Sequence, residues 1–158
     1  MASRKSLLIN SLIRKENAKG IKGVRYLGFD NNNTFMFSMR SASRDFLIHR
    51  IYIQLEDLTE SINDFIVDGD YENLNVIKTA INLALTKRVR ILCTCEDFLY
   101  SGAKYWNTRN GSGIEEEDRA PQPNKKRTLL CKHILYILAN ISRYLGVMAK
   151  SVSLYLRS

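Results

Sequence analysis

Two stretches carry the strongest pattern in the chain. They are Val89-Arg90-Ile91-Leu92-Cys93-Thr94-Cys95 and, after a long spacer, Cys131-Lys132-His133-Ile134-Leu135-Tyr136-Ile137-Leu138. The first is a run rich in β-formers that ends in Cys-x-Cys, and the second opens an apolar run with Cys-x-His. Together they contain every cysteine of the protein and one of its two histidines. Such complete use favours a common role for the four side chains.

Three thiolates and one imidazole form a complete ligand set for a tetrahedral structural zinc ion. We therefore predict that Cys93, Cys95, Cys131 and His133 bind one zinc ion per chain, with their sulfur atoms within about 4 Å of one another. The metal would pin the end of a strand to the start of a helix. The helix N-terminus is also expected to lower the pKa of Cys131, because the helix dipole favours negative charge there.

The cysteines have two other roles to consider. They could be small buried apolar residues, with His133 an exposed residue of the first helical turn. A disulfide fits less well, because three cysteines cannot pair off and Cys-x-Cys neighbours rarely satisfy disulfide geometry. The absence of an obvious pairing favours a reducing compartment.

The four ligands resemble the signature of the SWIM-type zinc finger, which is Cys-x-Cys, a variable spacer and Cys-x-His. The resemblance covers about a third of the chain and implies a small β-β-α zinc module that binds nucleic acid or protein, with a structural metal. The long spacer, Glu96 to Leu130, departs from that pattern.

A looser resemblance is to small zinc-bearing virion proteins of tailed bacteriophages. It rests on the Cys-x-Cys pair, on Tyr105-Trp106, on Arg119-Ala120-Pro121-Gln122-Pro123-Asn124 and on Cys131-Lys132-His133. It implies a structural protein of the neck or tail, located in the virion, that contacts other virion proteins and identical subunits in a ring.

The net charge of +8 is concentrated in the front of the chain. Residues 1–50 contain ten Lys or Arg and three acids, which gives +7 and leaves +1 for the remainder. Such a basic segment indicates phosphate binding, a solvated basic face or acidic protein neighbours, and the sequence leaves all three open. The candidate contacts to nucleic acid or to a partner are Arg4, Lys5, Arg14, Lys15, Lys19 and Lys22.

The hydrophobic periodicity predicts an α+β fold with a small antiparallel sheet and packed helices. The SWIM resemblance implies, in addition, a zinc-stapled β-β-α lobe. His49 falls on the apolar side of a strand and is predicted to be a core histidine rather than a ligand. The predicted elements are a helix over 4–19, a hairpin of strands 24–29 and 34–39, a strand over 44–55, a helix over 57–65, a helix over 71–86 capped by Asp70, a strand over 88–93, and a helix over 131–145 ended by Gly146.

Three segments are expected to form one compact unit. They are a basic α+β portion over 1–88, the SWIM-like lobe over 89–146 with an insert at 96–130, and a C-terminal strand or arm over 147–158. No apolar run reaches the roughly 18 residues of a membrane helix, and no signal peptide is apparent, so we expect a protein that is neither membrane-bound nor secreted.

Among the function classes, an enzyme is the least expected, because three Cys and one His saturate a zinc ion and leave no position for water or substrate. A structural assembly protein of a phage particle is the favoured interpretation. The alternative is a zinc-dependent nucleic-acid-binding module, which would be cytoplasmic.

Overall fold

The structure is a computed structural model that describes residues 3–4, 21–41, 47–100, 103–109, 111–114 and 130–158. The strands are β1 (Arg25–Phe29), β2 (Thr34–Arg40), β3 (Ile48–Leu55) and β4 (Val89–Cys93). The helices are α1 (Leu58–Phe65), α2 (Leu74–Leu85), α3 (Glu96–Tyr100), α4 (Ala103–Arg109), α5 (Lys132–Ala139) and α6 (Leu145–Arg157), with a 3₁₀ turn at Ile141–Arg143 between the last two. The predicted α+β class with a small antiparallel sheet is confirmed.

The sheet is an antiparallel meander in the order β1-β2-β3-β4. Its register places Tyr26 opposite Phe37, Phe37 opposite Ile51, and Ile51 opposite Cys93. Because side chains alternate between the two faces of a strand, these four residues lie on the same face. These four residues are therefore cross-strand neighbours, from the edge strand β1 to Cys93 on β4.

The predicted hairpin forms because the residues between β1 and β2 tolerate a tight turn. Asn33 has a φ of 56°, a conformation that asparagine accepts more readily than most residues. The Asp30 carboxylate accepts hydrogen bonds from the backbone N–H groups of Asn32 and Thr34 at 2.9 and 3.2 Å. The turn is thus fixed by its own side chain.

The core lies between one face of the sheet and the helices. On β3, residues alternate so that His49, Ile51, Ile53 and Leu55 are buried. Ile51, Ile53 and Leu55 belong to a single cluster of buried residues that also contains side chains of α1, α2, α5 and α6, together with the three cysteines. The segment that carries the cysteines therefore shares the core of the sheet.

The helix predicted over 71–86 begins later than expected. Asp70 is not its cap: α2 starts at Leu74, and the Asn73 side chain accepts a hydrogen bond from the Val76 N–H at 3.3 Å. Asparagine and aspartate are nearly equal as caps, so the sequence alone does not distinguish the two positions.

The prediction of a C-terminal strand or arm over 147–158 is wrong. This segment is helix α6, which buries Met148, Ala149, Val152 and Ser153 at helical spacing. The preceding helix α5 ends at Ala139, where the Asn140 amide donates to the Tyr136 carbonyl oxygen at 2.9 Å. Gly146 consequently lies in the first turn of α6 and does not end the helix predicted over 131–145.

Two other predictions lie partly or wholly outside the described residues. The helix predicted over 4–19 falls outside them except for Arg4. The third strand, predicted to begin at residue 44, is described from Ile48 onward.

A carboxylate–guanidinium pair joins the end of β3 to the start of β4. The Asp57 carboxylate accepts from the Arg88 backbone N–H at 3.2 Å and from Arg88 Nε at 3.0 Å. Glu56 pairs with Arg88 and also with Arg90. The hydrogen bonds from the Arg88 side chain lower the pKa of Asp57 below its ordinary value.

We expect Asp57→Asn to destabilise the protein at neutral pH, because an amide accepts weaker hydrogen bonds from a guanidinium than a carboxylate does. The lowered pKa of Asp57 means that its contribution is complete above the ordinary carboxyl value of about 3.9 and is lost as the pH falls through the lower folded value. The difference in unfolding free energy between native and variant, measured by urea titration, should therefore shrink on acidification. Asp64→Asn, on the exposed side of α1, removes the same charge as a control, and a difference that stayed constant in acid would contradict this account.

Candidate metal centre

The four sequence-predicted ligands converge. One ligand atom from each of Cys93, Cys95, Cys131 and His133 lies within 4.8 Å of all the others, and all four residues are buried. A regular tetrahedron with bonds of about 2.3 Å has edges of roughly 3.8 Å, so a modest contraction would seat one ion among them. The Cys93 Sγ to His133 Nδ1 distance is already 3.9 Å. The convergence is confirmed, although the 4.8 Å limit is wider than the 4 Å expected for the sulfur atoms.

Cys93 is positioned by the sheet. It is the last residue of β4 and pairs with Ile51 of β3. The next residue, Thr94, donates its N–H to the Arg50 carbonyl oxygen at 3.0 Å and accepts the Arg50 N–H on its hydroxyl at 2.9 Å. The centre of the Cys-x-Cys motif is therefore tied to the neighbouring strand, which fixes the direction in which the chain leaves the sheet.

Cys95 is positioned by the short helix α3, which begins immediately after it. Its Sγ accepts a hydrogen bond from the Phe98 N–H at 3.3 Å, and its carbonyl oxygen accepts one from the Leu99 N–H at 3.1 Å. Phe98 is itself buried in the core. The N–H that bonds to the Cys95 sulfur therefore belongs to a residue whose own side chain is fixed in the core.

Cys131 and His133 are positioned by helix α5. Cys131 stands at the N-cap with extended backbone (φ −80°, ψ 166°), and its carbonyl oxygen accepts from the Leu135 N–H at 3.0 Å. His133 lies in the first turn with only 3% of its surface exposed. The structure thus brings the end of β4 and the start of α5 together, as predicted, and the metal that would join them stays a prediction.

His49 packs directly against the ligand set without belonging to it. Its ring centroid lies 4.8 Å from that of His133, with the planes tilted by 46°. Burial, followed by the neighbouring His133, lowers the pKa of His49. The prediction of a core histidine is confirmed, and its position against a ligand ring was not apparent from the sequence.

The three thiols shift one another's pKa in different directions. Hydrogen bonds from Cys131 and then Cys93 lower the pKa of Cys95, whereas burial raises that of Cys131 well above its ordinary value. The predicted lowering of the pKa of Cys131 is therefore wrong, because burial and then the hydrogen bonds with Cys93 and Cys95 raise it. A divalent cation bound among these residues would supply the positive charge that allows all three thiols to ionise together.

The insert between the two ligand pairs adds structure to the sheet. Besides α3 and α4, its residues 112–114 lie along β4, where the Ile91 N–H donates to the Ser112 carbonyl oxygen at 2.8 Å. The order around the ligands is thus strand, two short helices and helix. This order holds for the described residues of the insert, and the β-β-α module of the SWIM type stays a prediction.

Of the six basic residues proposed as contacts, the structure describes Arg4 and Lys22. Arg4 donates from Nε to the Leu138 carbonyl oxygen at 2.6 Å, at the end of α5, and Lys22 is exposed. The other four lie outside the described residues: Lys5, Arg14, Lys15 and Lys19.

Comparison with known proteins identifies no relative. No protein-family model, no curated protein and no solved structure matches the chain. Within the described part of the chain, none of the helices is both long and apolar enough to span a bilayer. Because no match was found, only the residues of the site themselves indicate its chemistry.

Proposed function

We propose that this chain is a non-enzymatic structural protein whose fold is held by one zinc ion, and which takes its place in a larger protein assembly. The observation that carries the proposal is the buried set of Cys93, Cys95, Cys131 and His133, which all lie within 4.8 Å of one another. Two segments of the chain that are far apart in sequence supply these residues. A metal bound there would join the sheet, the insert and α5.

Zinc is the metal that fits these donors best. Soft thiolates with one imidazole select zinc over hard cations such as magnesium and calcium, which prefer oxygen ligands. When bound, the ion would supply a positive charge that stabilises three thiolates. It would also hold its four ligands in a rigid tetrahedral arrangement. Cys93, Cys95, Cys131 and His133 would hold it, and His49 would support the ring of His133.

The same ligand set supports a structural role for the metal over a catalytic one. A catalytic zinc site keeps one position open for water or substrate, whereas four protein ligands saturate the ion. Cys93 and Cys131 are fully buried and Cys95 is 3% exposed, so a substrate would have no direct approach to the ion.

Exposed apolar residues on α6 support the assembly part of the proposal. Val147 and Leu154 are 47% and 54% exposed and lie seven residues apart, which places them on the same side of the helix. Tyr155 is 45% exposed beside them, and its ring contacts Phe29 of the edge strand β1 edge-to-face at 5.5 Å. Grouped apolar side chains at a surface mark sites of protein contact.

The kind of assembly rests on sequence resemblance. The similarity to small zinc-bearing proteins of tailed-phage virions makes the neck or tail of such a particle the proposed location, with identical subunits and other virion proteins as neighbours. In a closed ring, each subunit would present α6 to a different surface of the next copy.

The second candidate, a SWIM-type zinc-dependent nucleic-acid-binding module, draws less support from the metal centre. The ligands are buried, and the residues that follow Cys95 are the acids Glu96 and Asp97. Both features disfavour contact between the zinc site itself and phosphate groups.

Replacement of Val147 and Leu154 by Asp tests the association through α6. We expect the native protein to form oligomers in light-scattering measurements over a concentration series, and the double variant to remain monomeric because two charges cannot be buried unpaired. Asn75→Asp with Asn82→Asp adds the same charge at the same seven-residue spacing on the exposed side of α2 and should associate like the native protein. A native chain that stays monomeric throughout would contradict association between identical subunits.

A further inference from the structure

Three arginines surround one groove on the face of the sheet opposite the core. Arg25 of β1, Arg40 of β2 and Arg50 of β3 line a groove of about 260 Å³, together with the apolar side chains of Leu27 and Ile48. We call this the arginine groove. It is separate from the metal centre, whose ligands lie on the buried side.

The strand register explains why these residues meet. Arg25 pairs with Ser38, and Ser38 pairs with Arg50 on its other side. Arg40 lies two residues beyond Ser38 on the same strand and therefore on the same face. With neighbouring strands about 4.8 Å apart, the backbone positions of Arg25 and Arg50 are separated by roughly 10 Å. The three cations thus form a triangle on a rigid sheet.

The guanidinium groups of the groove are available to a ligand. All three arginines are exposed, and the groove is lined by no Asp or Glu among the described residues. The carboxylates of Glu56 and Asp57 pair with other arginines, Arg88 and Arg90. Three like charges that lie close together without acids are mutually repulsive, and bound anions would relieve this repulsion.

Gly23 leaves room for the side chain of Arg40 at one side of the groove. It has a φ of +69°, and a Cβ at this position would lie 3.2 Å from Cγ of Arg40. The absence of a side chain therefore lets the Arg40 stem pack closely on the backbone. This packing reduces the side-chain entropy that Arg40 would lose on binding an anion.

We propose that the arginine groove binds the phosphodiester backbone of a nucleic acid. Arginine forks bind phosphate oxygens in pairs, and a nucleic-acid backbone supplies the regular succession of anions that suits several cations on one face of a sheet. The exposed Leu27 and Ile48 offer apolar surface for sugars or bases beside the phosphates. The chain's net charge of +8 favours the approach of the same polyanion. The proposal depends neither on the metal nor on association through α6.

The test is binding of the full chain to fluorescent duplex DNA and single-stranded DNA over a range of salt concentrations. The triple variant Arg25→Gln, Arg40→Gln and Arg50→Gln should lower the slope of log affinity against log salt by about 2 to 3, since each lost phosphate contact removes 0.7 to 0.9. The matched control is Lys78→Gln, Arg143→Gln and Lys150→Gln, which removes the same charge from the helical side and should keep the native slope. The single variant Arg50→Gln, with an expected loss of about 1, covers the case in which the triple variant fails to fold.

The outcomes distinguish the sources of the phosphate. Preference for duplex or for single-stranded DNA identifies the form that the groove accepts, and either supports the proposal. Equal slopes of log affinity against log salt for the Arg50 variant and the native protein overturn the proposal. Tight binding of poly-glutamate or heparin without any binding of DNA also overturns it, because the groove would then serve an acidic protein or a non-specific polyanion. The zinc content and thermal midpoint of the variants should equal those of the native protein. A smaller salt dependence of binding then comes from the groove and not from a change in the fold.

Discussion

Removal of the metal is expected to abolish the cooperative unfolding transition of this protein or to lower its midpoint by tens of degrees. Structural zinc sites of this type contribute about 10 to 16 kcal/mol on binding at neutral pH. Whole domains are stable by only about 5 to 15 kcal/mol, so the loss is comparable with the entire stability. The core would also be left with three buried thiols that share hydrogen bonds in place of a cation.

The measurement is a thermal melt followed by circular dichroism, with and without prolonged incubation with a strong chelator, alongside elemental analysis for about one zinc per chain. Cys95→Ser should reproduce the effect of the chelator and loosen both α3 and the start of α5. Thr94→Val is the matched control: it alters the residue between two ligands, removes the hydroxyl that accepts from Arg50, and should cost about 0.5 to 1.5 kcal/mol while zinc is retained. Superimposable melts with and without chelator would rule out a structural metal.

The ligand set could be predicted from the sequence because its signal is local and chemical. Cys-x-Cys and Cys-x-His each place two donors within one turn of chain, and zinc chemistry then requires the pairs to meet. The contact of His49 with His133 could not be predicted in this way. It depends on the packing of β3 against the first turn of α5, two segments far apart in sequence.

The sequence misled at the C-terminus because a glycine was interpreted as a helix end. Gly146 lies one residue into α6, and the actual break occurs at Asn140, which bonds back to Tyr136. The spacing of Met148 and Val152, four residues apart, was the available sign of a helix. Both Gly and Asn are common at helix ends, so tertiary packing decides between them.

The arginine groove lay beyond sequence reasoning for a different reason. Arg25, Arg40 and Arg50 were counted within the basic front of the chain, but their meeting depends on strand register. A shift of one residue in any pairing would send an arginine to the opposite face. Local sequence gives the alternation of each strand, whereas the pairing between strands is a property of the folded sheet.

Phe37 links the sheet to the C-terminal helix, and its truncation is expected to have the second largest effect. Its side chain is fully buried in the centre of β2. The ring lies 5.3 Å from Tyr26 of β1 and 5.3 Å from Tyr144, the residue that precedes α6, both edge-to-face. One side chain thus holds together an edge strand and the start of α6, whose outer face is proposed to contact a neighbouring subunit.

We expect Phe37→Ala to lower the free energy of unfolding by about 3 to 5 kcal/mol, because it leaves a cavity in the core and removes two aromatic contacts. Phe37→Leu, which keeps most of the apolar volume, should cost only about 1 kcal/mol. Urea unfolding monitored by circular dichroism measures both. The four metal ligands are untouched in these variants, so each should still bind zinc and still respond to the chelator, with the two losses adding if the sites are independent. Zinc-free Phe37→Ala protein, or a loss below 1 kcal/mol, would show that the sheet core and the metal centre are not arranged as described.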